Sequence, residues 1–538
     1  MEKETECLRL TPERLGNLLE GENSRIFLVD YSEKYMEELL EAAPPGSCLL
    51  ERVGGILSET ADRMSGSIAR GIRQVIFRGV TIPVLPRQSF REMEADTIFI
   101  ILNDYFRETF EKLRELEGGP AGRKNRRIYF FPDRETQTDL SYREKYRDSP
   151  LEDIIVFRSG PHAASYVKGM DYGDNARALF EYMLRAGYHK KYELVWLVRD
   201  PSEFSAVMEK HDHVRFLPYH WAVSEIKEER DAYYRVLCLA KYLFMTDAYG
   251  FCRNARKDQI RVQLWHGCGF KTRVNFVPCE KRYEYHVVIS EVYRQIHQKI
   301  YGLRGDQVLV TGYPKNDWLF HPDREAWRRF GFPEADHYLF WLPTFRMAKT
   351  GLSGLNEYDL EGQTGLPVLD THEKLDRLES VLDRLHTVLV LKLHPFQDAD
   401  KIGRVERNHL VLMDHGRLAE SGVQINQLLG CADGLISDYS SVAVDYMLLD
   451  RPVGFTLDDV EEYGESRGFV FDRIREWLPG KEIRSVEDME RFIEEVAAGK
   501  DPGGEKRRRL RAKMHGFTDD GSCGRVLRAL GISEPVIG

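Results

Sequence analysis

Short, almost continuously apolar segments alternate with helix-like segments through most of this 538-residue chain. The segments Asp153–Phe157, Glu193–Val198 and Val388–Leu393 read as strands without a polar face. Asp174 opens a helix-like segment whose apolar residues recur at helical spacing. Strands of this kind are typical of parallel sheets that helices cover on both faces. The alternation therefore predicts an α/β chain built on doubly wound parallel sheets.

The length of the chain exceeds what one hydrophobic core usually supports, so several domains are expected. A Gly-rich segment at Gly118–Gly122, followed by the basic run Arg123–Arg127, indicates a boundary after a first, small α/β unit. Strand and helix patterns then repeat twice. We predict an N-terminal α/β accessory domain at 1–120, a linker at 121–149, Rossmann-like domains at 150–330 and 335–480, and C-terminal helices at 481–538.

Composition narrows the classes of function. With 42% hydrophobic and 30% charged residues, the chain is typical of globular proteins. Its net charge of -10 argues against nucleic-acid binding, which requires a basic surface. No apolar run approaches the ~20 residues of a membrane span, and the acidic N-terminus lacks a signal-peptide core, so we expect a cytoplasmic protein. The 8 cysteines are scattered and predict neither disulfides nor a zinc site.

The segment Gly434–Met447 has the strongest local signal for a binding site. It reads as a buried strand, a polar turn and an immediate helix, with Ser440 and Ser441 in the turn and Asp445 one helical turn later. Unpaired N–H groups at such a helix start favour an anion, and the serine hydroxyls add donors. Taken alone, the pattern fits helix caps equally well.

Three further polar segments stand at equivalent positions. His266, Pro343-Thr344 and His394 each follow a predicted strand directly, as the serines do. The carboxyl ends of parallel strands gather at one edge of a sheet, where doubly wound domains bind their ligands. Independent caps would not need this shared placement, so the sequence favours a binding cleft between the two Rossmann-like domains.

The residues of this predicted cleft suit phosphate chemistry. Neither histidine belongs to a triad or a metal-binding spacing, but an imidazole can take a proton from an attacking hydroxyl or support charge on a phosphate. Gly267 and Gly269, beside His266, allow a substrate to approach the backbone. Four cationic residues lie in or beside the motifs and could neutralise a diphosphate: Lys271, Lys315, Arg346 and Lys392.

Five motifs, in this order and spacing, resemble the CDP-glycerol glycerophosphotransferase family, the bacterial teichoic-acid polymerases and primases. They are Trp265-His266-Gly267 with Lys271, Gly312–Asp317, Pro343–Arg346, Leu393–Pro395, and Ser437–Ser441 with Asp445-Tyr446. The resemblance covers roughly residues 150 to 530 and is specific as a set. Two departures stand out: Cys268-Gly269 replaces the usual Thr-Pro, and Lys315 and Lys392 replace arginines, which keeps the charge but loses the bidentate fork.

The resemblance implies a GT-B architecture and transfer of glycerol phosphate from CDP-glycerol to an acceptor hydroxyl, with release of CMP. It implies that His266 is the base acting on the acceptor and that His394 also acts at the catalytic centre. The substrate contacts predicted on the same basis are Gly267, Cys268, Gly269, Lys271, Lys315, Pro343, Thr344, Arg346, Lys392, Ser440, Ser441 and Asp445. No cofactor is firmly predicted, and a divalent cation stays an open alternative.

Two competing interpretations remain from the sequence. A glycosyltransferase could use a nucleotide sugar on the same scaffold, because a fold does not determine a reaction. A non-catalytic binding protein would need neither His266 nor His394. For the leading interpretation the acceptor is lipid-linked or polymeric, and the donor is CDP-glycerol or a related CDP-alditol. The basic run Lys506–Arg509 would suit peripheral contact with anionic lipid, although a solvated helix face is favoured about two to one.

Overall fold

The computed structural model describes residues 8–21, 24–30, 32–58, 74–94, 96–103, 106–117, 126–160, 171–247, 249–272, 282–344, 363–393, 405–413, 415–466 and 468–535. The chain forms two compact units. The first comprises Met1–Arg147 with Trp221–Tyr234, and the second comprises Asp148–His220 with Arg235–Gly538. No helix within the described ranges has the length and apolarity needed to cross a bilayer.

The first unit is built on a seven-stranded sheet with the order β1-β7-β6-β2-β3-β5-β4. All pairs are parallel except β4 with β5, and the central strands β2 and β6 are completely buried. Its strands are β1 Leu8–Arg9, β2 Ile26–Val29, β3 Val53–Ser58, β4 Gln74–Phe77, β5 Val80–Pro86, β6 Ile98–Ile101 and β7 Arg127–Phe130. Its helices are α1 Pro12–Gly21, α2 Glu33–Ala42, α3 Leu49–Arg52, α4 Phe106–Leu116 and α5 Arg134–Lys145.

Residues 121–149, which the sequence predicts as a linker, contribute regular elements to this unit instead. β7 pairs in parallel with β6, and α5 begins where the Asp133 carboxylate accepts a hydrogen bond of 2.8 Å from the Thr136 N–H. The basic run obscures the strand pattern in the sequence, because only alternate residues of β7 are apolar and buried. Ile128 and Phe130 face the core, whereas Arg127 and Tyr129 are only partly buried. The accessory unit therefore extends beyond residue 120.

The second unit contains two parallel sheets. The first of them has the order β10-β9-β8-β11-β12-β13-β14, which is the doubly wound order with a reversal between β8 and β11. Its strands are β8 Glu152–Ser159, β9 Glu193–Val198, β10 Val214–Pro218, β11 Ala240–Thr246, β12 Ile260–Gln263, β13 Tyr285–Val288 and β14 Val308–Val310. Its helices are α6 Asp174–Arg185, α7 Ser205–Lys210, α8 Lys227–Leu239 (of which residues 227–234 belong to the first unit), α9 Glu291–Tyr301, α10 Asp317–Phe320 and α11 Arg324–Phe330.

The other sheet of this unit repeats the winding, with the order β17-β16-β15-β18-β19-β20 and a reversal between β15 and β18. Its strands are β15 His337–Trp341, β16 Thr387–Lys392, β17 Leu410–Met413, β18 Gly434–Ser437, β19 Val453–Thr456 and β20 Lys481–Ile483. Its helices are α12 His372–Arg384, α13 His415–Glu420, α14 Ile425–Leu429, α15 Val442–Tyr446, α16 Val460–Ser466 and α17 Val486–Ala497, followed by α18 Gly504–Met514 and α19 Ser522–Ala529.

The α/β class with doubly wound parallel sheets, predicted from the apolar segments, is confirmed. β9 has the predicted bounds, and α6 buries the predicted apolar face, including Leu179, Phe180 and Met183. The segment 481–538, predicted as helices alone, begins with a strand, because β20 adds to the edge of the sheet beside β19. Only one of its three residues is buried, which explains why its sequence shows no strand pattern.

Candidate active site

A cavity of about 420 Å³ lies where the two sheets of the second unit direct the carboxyl ends of their strands. Nine of the predicted site residues line it: His266, Gly267, Gly269, Lys271, Pro343, Thr344, Lys392, Ser440 and Ser441. Cys268, Lys315 and Asp445 are not among the lining residues and lie buried close by. Arg346 and His394 fall outside the described residues, so the role of His394 at the catalytic centre stays a prediction.

The loop that carries His266 is held by buried amides. The Gln263 side-chain oxygen accepts hydrogen bonds from the N–H groups of Trp265 and Asp247, at 2.9 and 3.1 Å. The Asn175 amide donates to the Trp265 carbonyl at 2.8 Å. Trp265 has a left-handed backbone with φ of 58°, which turns the chain sharply and is rare for a large side chain. No Asn-Gly or Asp-Gly turn signal marks this bend in the sequence, so the side-chain amides of Gln263 and Asn175 hold it.

The His266 imidazole lies between solvent and the cavity, with 48% of its side chain exposed. Its Nδ1 atom is 3.5 Å from the Asp247 carboxylate, and its ring stacks on Trp265 with centroids 4.5 Å apart. A carboxylate beside Nδ1 orients an imidazole and leaves Nε2 to exchange a proton. Asp247 is a site residue that the sequence analysis missed, since it follows a different strand, β11.

The two glycines beside His266 are explained by packing within the protein. A Cβ atom on Gly267 would lie 2.4 Å from the Ser441 hydroxyl oxygen, and one on Gly269 would lie 3.2 Å from the Ser441 Cβ. The sequence analysis attributed these glycines to the approach of a substrate. The structure shows that they let the His266 loop touch the start of α15, so that the two halves of the cavity meet. Both glycines also line the cavity, and their role in the approach of a substrate stays a prediction.

The opposite side of the cavity carries cations and hydroxyl groups. Thr344 donates its N–H, at 2.7 Å, and its hydroxyl to the buried Asp438 carboxylate, which joins the ends of β15 and β18. Lys271 Nζ donates to the Thr344 hydroxyl oxygen at 3.3 Å. Lys392 forms no ion pair with the described residues, and burial lowers its pKa to about 8. An anionic ligand would stabilise such a buried ammonium group and raise its pKa again.

Ser440 and Ser441 behave as cavity residues and not as helix caps. Ser441 occupies the N-cap position of α15, but its backbone is helical and its side chain makes no capping hydrogen bond. Both serines line the cavity. The helix itself has only five residues, so its dipole contributes little and the hydroxyl groups are the main donors at this corner.

Lys315 and Asp445 form a buried charged network beneath the cavity. Lys315 Nζ lies 3.5 Å from Asp174 and 3.8 Å from Asp445, and Asn316 donates to Asp445 at 2.9 Å. Burial acts to lower the pKa of Lys315, but the two carboxylates outweigh it and raise that pKa. Burial also raises the pKa of Asp445 to about 6, against the effect of Lys315. Asp445, predicted to bind the donor directly, therefore connects α15 of one sheet to the segment that follows β14 of the other sheet.

Cys268 also points away from the cavity. Its Sγ atom is 3.0 Å from the Tyr313 hydroxyl and 3.6 Å from His297 Nε2, and His297 Nδ1 is 2.8 Å from His286 Nε2. Burial raises the pKa of the Cys268 thiol to about 12, so the group stays protonated. Cys268, which stands where the motif usually has threonine, thus belongs to a network of buried polar side chains. Within the described residues, no cluster of three or more His, Cys, Asp or Glu side chains could hold a metal ion.

A family model for CDP-glycerol:poly(glycerophosphate) glycerophosphotransferases matches residues 153–531, which include every described residue that lines the cavity. The chain belongs to this family. The first unit lies almost entirely outside the match. The family resemblance predicted from the five motifs is therefore confirmed.

The chain is also similar to individual teichoic acid enzymes. The chain is 28% identical over 282 residues to a teichoic acid ribitol-phosphate primase of Bacillus spizizenii, covering 48% of this chain and 66% of that protein. It is 27% identical over 348 residues to a teichoic acid poly(ribitol-phosphate) polymerase of the same organism, covering 61% of this chain and 49% of that one. This chain thus spans about half to two thirds of the lengths of these relatives.

A solved structure of the wall teichoic acid polymerase TagF shares the fold. The TM-score is 0.54 at 18% sequence identity, and the similarity covers 74% of this chain and 93% of that chain. The arrangement of two facing, doubly wound sheets predicted as GT-B-like is confirmed by this likeness and by the sheet orders of the second unit.

Proposed function

We propose that this protein transfers an alditol phosphate, glycerol phosphate first of all, from a CDP-alditol to an acceptor hydroxyl in the synthesis of a teichoic-acid-like polymer, with release of CMP. Family membership supports the reaction class. The single observation that carries the proposal is the division of the cavity. The imidazole of His266 lines one side, and Lys392, Ser440 and Ser441 line the other without an anionic partner among the described residues.

The side with Lys392 suits the diphosphate of the donor. An ammonium group whose pKa is lowered by burial gains free energy when an anion binds, because the anion replaces lost hydration. The hydroxyls of Ser440 and Ser441 add neutral donors that can follow the phosphate oxygens. Lys271, held at Thr344, supplies a second positive charge at the same side.

The reaction then requires one proton transfer. The acceptor oxygen attacks the phosphorus that carries the alditol, the bond from this phosphorus to the bridging oxygen breaks, and CMP leaves with that oxygen. His266 Nε2 takes the hydroxyl proton as the new P–O bond forms, and Asp247 stabilises the imidazolium. Two glycines bring this imidazole beside Ser441, so the base and the donor-binding hydroxyls belong to one compact site.

The same proposal predicts the acceptor, the contact with the membrane and the alditol. The acceptor is part of a lipid-linked or polymeric glycan or alditol phosphate, and the enzyme works at the cytoplasmic face of the membrane. The exposed face of α18, with Arg508, Arg509 and Lys513, would give a peripheral contact with anionic lipid. Glycerol and ribitol remain the two candidate alditols, since the family model names the former and two relatives are named for the latter.

A donor panel tests the proposal. The purified chain is incubated with CDP-glycerol, CDP-ribitol and a UDP-sugar, each with and without cell-wall primer, and the released nucleotide is quantified. We expect acceptor-dependent release of CMP from one of the CDP-alditols. Release of UDP alone would establish the glycosyltransferase interpretation in its place, and no release with unchanged melting temperatures would favour a binding protein.

Replacement of Ser440 and Ser441 together by alanine tests the donor side. The change removes two hydrogen bonds to a charged group, worth about 1.5–3 kcal/mol each before water compensates. We expect the Kd for the CDP-alditol, measured by calorimetric titration, to rise at least about tenfold. The melting temperature should hardly change, because neither hydroxyl caps a helix. Unchanged affinity with a lowered melting temperature would show that these serines are structural.

A further inference from the structure

The side chain of Gln263 connects the two loops that carry Asp247 and His266. Gln263 is the last residue of β12, is fully buried, and stands in register with Met245 of β11. Both chains leave the sheet just beyond this pair. The Oε1 atom of Gln263 accepts one hydrogen bond from the N–H of Asp247, at 3.1 Å, and another from the N–H of Trp265, at 2.9 Å. One amide oxygen therefore fixes the start of both loops.

Both loops begin with a backbone conformation that is uncommon for residues other than glycine. Asp247 has φ of 66° and Trp265 has φ of 58°, which places each in the left-handed region. Conformations of this kind persist where the surrounding structure holds them, and they concentrate at functional sites. Here both N–H groups turn toward the same oxygen atom of Gln263. The bend of one loop is thus coupled to the bend of the other.

The direct contact between Asp247 and His266 is too weak to hold the two loops together. The Asp247 carboxylate lies 3.5 Å from His266 Nδ1, and both side chains are half-exposed. Exposed pairs of this kind contribute little free energy, because water also stabilises each group separately. The separation of these two side chains is therefore imposed by the buried backbone contacts of their loops.

Other buried groups hold the His266 loop alone. The Asn175 amide donates to the Trp265 carbonyl at 2.8 Å, and Lys315 Nζ donates to the His266 carbonyl at 2.5 Å. Neither of these side chains contacts the loop that follows β11. Among the described residues, Gln263 is the side chain that forms hydrogen bonds with both loops.

The other end of the Gln263 amide differs from that of a purely structural amide. Gln263 Nε2 is buried and forms no hydrogen bond with the described residues, which lowers stability. Gln259, also buried, shows the contrast. Its oxygen accepts from the Arg256 N–H, and its nitrogen donates to the carbonyls of Leu237 and Ala240. A half-satisfied amide beside the proposed base points to a role for Gln263 other than stability.

We propose that Gln263 is a positioning residue, whose side-chain oxygen keeps the Asp247 carboxylate beside Nδ1 of His266. The inference rests on the function proposed above, in which His266 Nε2 takes the proton of the acceptor hydroxyl. A neutral imidazole has two tautomers, and the group that accepts from one ring nitrogen selects between them. With Asp247 in place, Nδ1 carries the proton and Nε2 is free to accept one. Without Gln263 the two loops separate, and Nε2 carries the proton in part of the molecules.

Nitrogen NMR of protein labelled in its histidines tests the positioning without any substrate. The two tautomers of a neutral imidazole differ in the shifts of their ring nitrogens, and the signal missing from His266→Ala identifies His266. At about pH 8 we expect wild-type His266 to be mainly in the Nδ1–H form. In Gln263→Met, which is apolar and of similar length, the Nε2–H fraction should rise at least about threefold. An unchanged tautomer in the folded variant would overturn the proposal.

Two further variants control this measurement. Gln259→Met removes the other buried amide, so it should lower the melting temperature and leave the tautomer of His266 as it is. If Gln263→Met does not fold, Gln263→Asn replaces it, because its oxygen is one methylene too short to reach both N–H groups; the same change of tautomer is expected. The expected tautomers in a wild-type protein that releases CMP from no CDP-alditol would refute the proposed function and leave the contact made by Gln263 established.

A double-mutant cycle tests whether Gln263 acts through Asp247. The partner variant is Asp247→Gly, which removes the carboxylate and keeps a left-handed backbone without strain. Gln263→Met and Asp247→Gly should each lower kcat about ten- to hundredfold, with the acceptor KM and the donor Kd within about threefold of wild type. The double variant should be hardly slower than either single variant, because the second change removes nothing further from His266. Losses that multiply in the double variant would show that Gln263 only stabilises the loop, and would overturn the proposal.

Discussion

Replacing His266 by alanine is expected to lower kcat by about 10²–10⁴, equivalent to ~3–5 kcal/mol of activation free energy, because a general base is lost. The donor should still bind with nearly the wild-type Kd, since Lys392, Ser440 and Ser441 lie on the other side of the cavity. The loop should keep its conformation, because Gln263 holds its backbone and not its imidazole. Acceptor-dependent CMP release and calorimetric donor titration measure the two quantities separately.

His321→Ala provides a matched control for this experiment. His321 is also exposed and paired with a carboxylate, that of Asp520, but it lies outside the cavity. Its removal should leave kcat within about twofold. Near-normal turnover in His266→Ala would mean that another residue accepts the proton. A weakened donor affinity with unchanged kcat would place His266 on the nucleotide side instead.

The sequence was sufficient to predict the sheets wherever their strands are buried on both faces. β9, β11, β15 and β16 each contain a run of consecutive buried apolar side chains, because neighbouring strands and helices cover both faces of the sheet there. Edge strands lack this signal. Only Ile483 of β20 is buried, and the strand pairs on one side only, so its three residues resemble a helix or loop.

The parts of the site that follow a single strand were also predictable. Thr344 and Ser440 follow closely after β15 and β18, Lys392 is the last residue of β16, and parallel pairing brings these strand ends together. Residues that come from a different strand and reach the site only through strand pairing were not predictable from the sequence. Asp247 lies beside His266 only because β11 pairs with β12, and its sequence neighbours carry no motif.

The sequence could not show which charged residues face the cavity and which face each other. Lys315 and Asp445 both stand in motifs that resemble the family, and both were predicted to bind substrate. Their mutual contact depends on how the two sheets of the second unit approach, which no local pattern encodes. Cys268 is a similar case, since its side chain turns inward to Tyr313 while the glycines on either side border the cavity.

Lys315→Met is expected to lower the free energy of unfolding by about 3–5 kcal/mol, because it leaves the buried Asp445 carboxylate without its counter-ion. Chemical denaturation at pH 7 measures the change. The control Lys481→Met breaks a partly exposed pair with Glu495 and should cost less than about 1 kcal/mol. A loss as small in Lys315→Met as in this control would mean that the buried network contributes little to stability.

The pH dependence and a second substitution identify Asp445 as the cause of that loss. A carboxyl group whose folded pKa lies above its unfolded value stabilises the fold at low pH and loses this contribution as the pH rises through the folded pKa. Burial already raises the pKa of Asp445 to about 6, and removing Lys315 raises it further, so the deficit of Lys315→Met should shrink between pH 7 and pH 5. Adding Asp445→Asn should recover most of the stability at pH 7, since a neutral amide needs no counter-ion and can still accept from Asn316. If Asp445 instead bound the donor directly, Asp445→Asn would weaken donor binding and leave the stability of Lys315→Met unchanged.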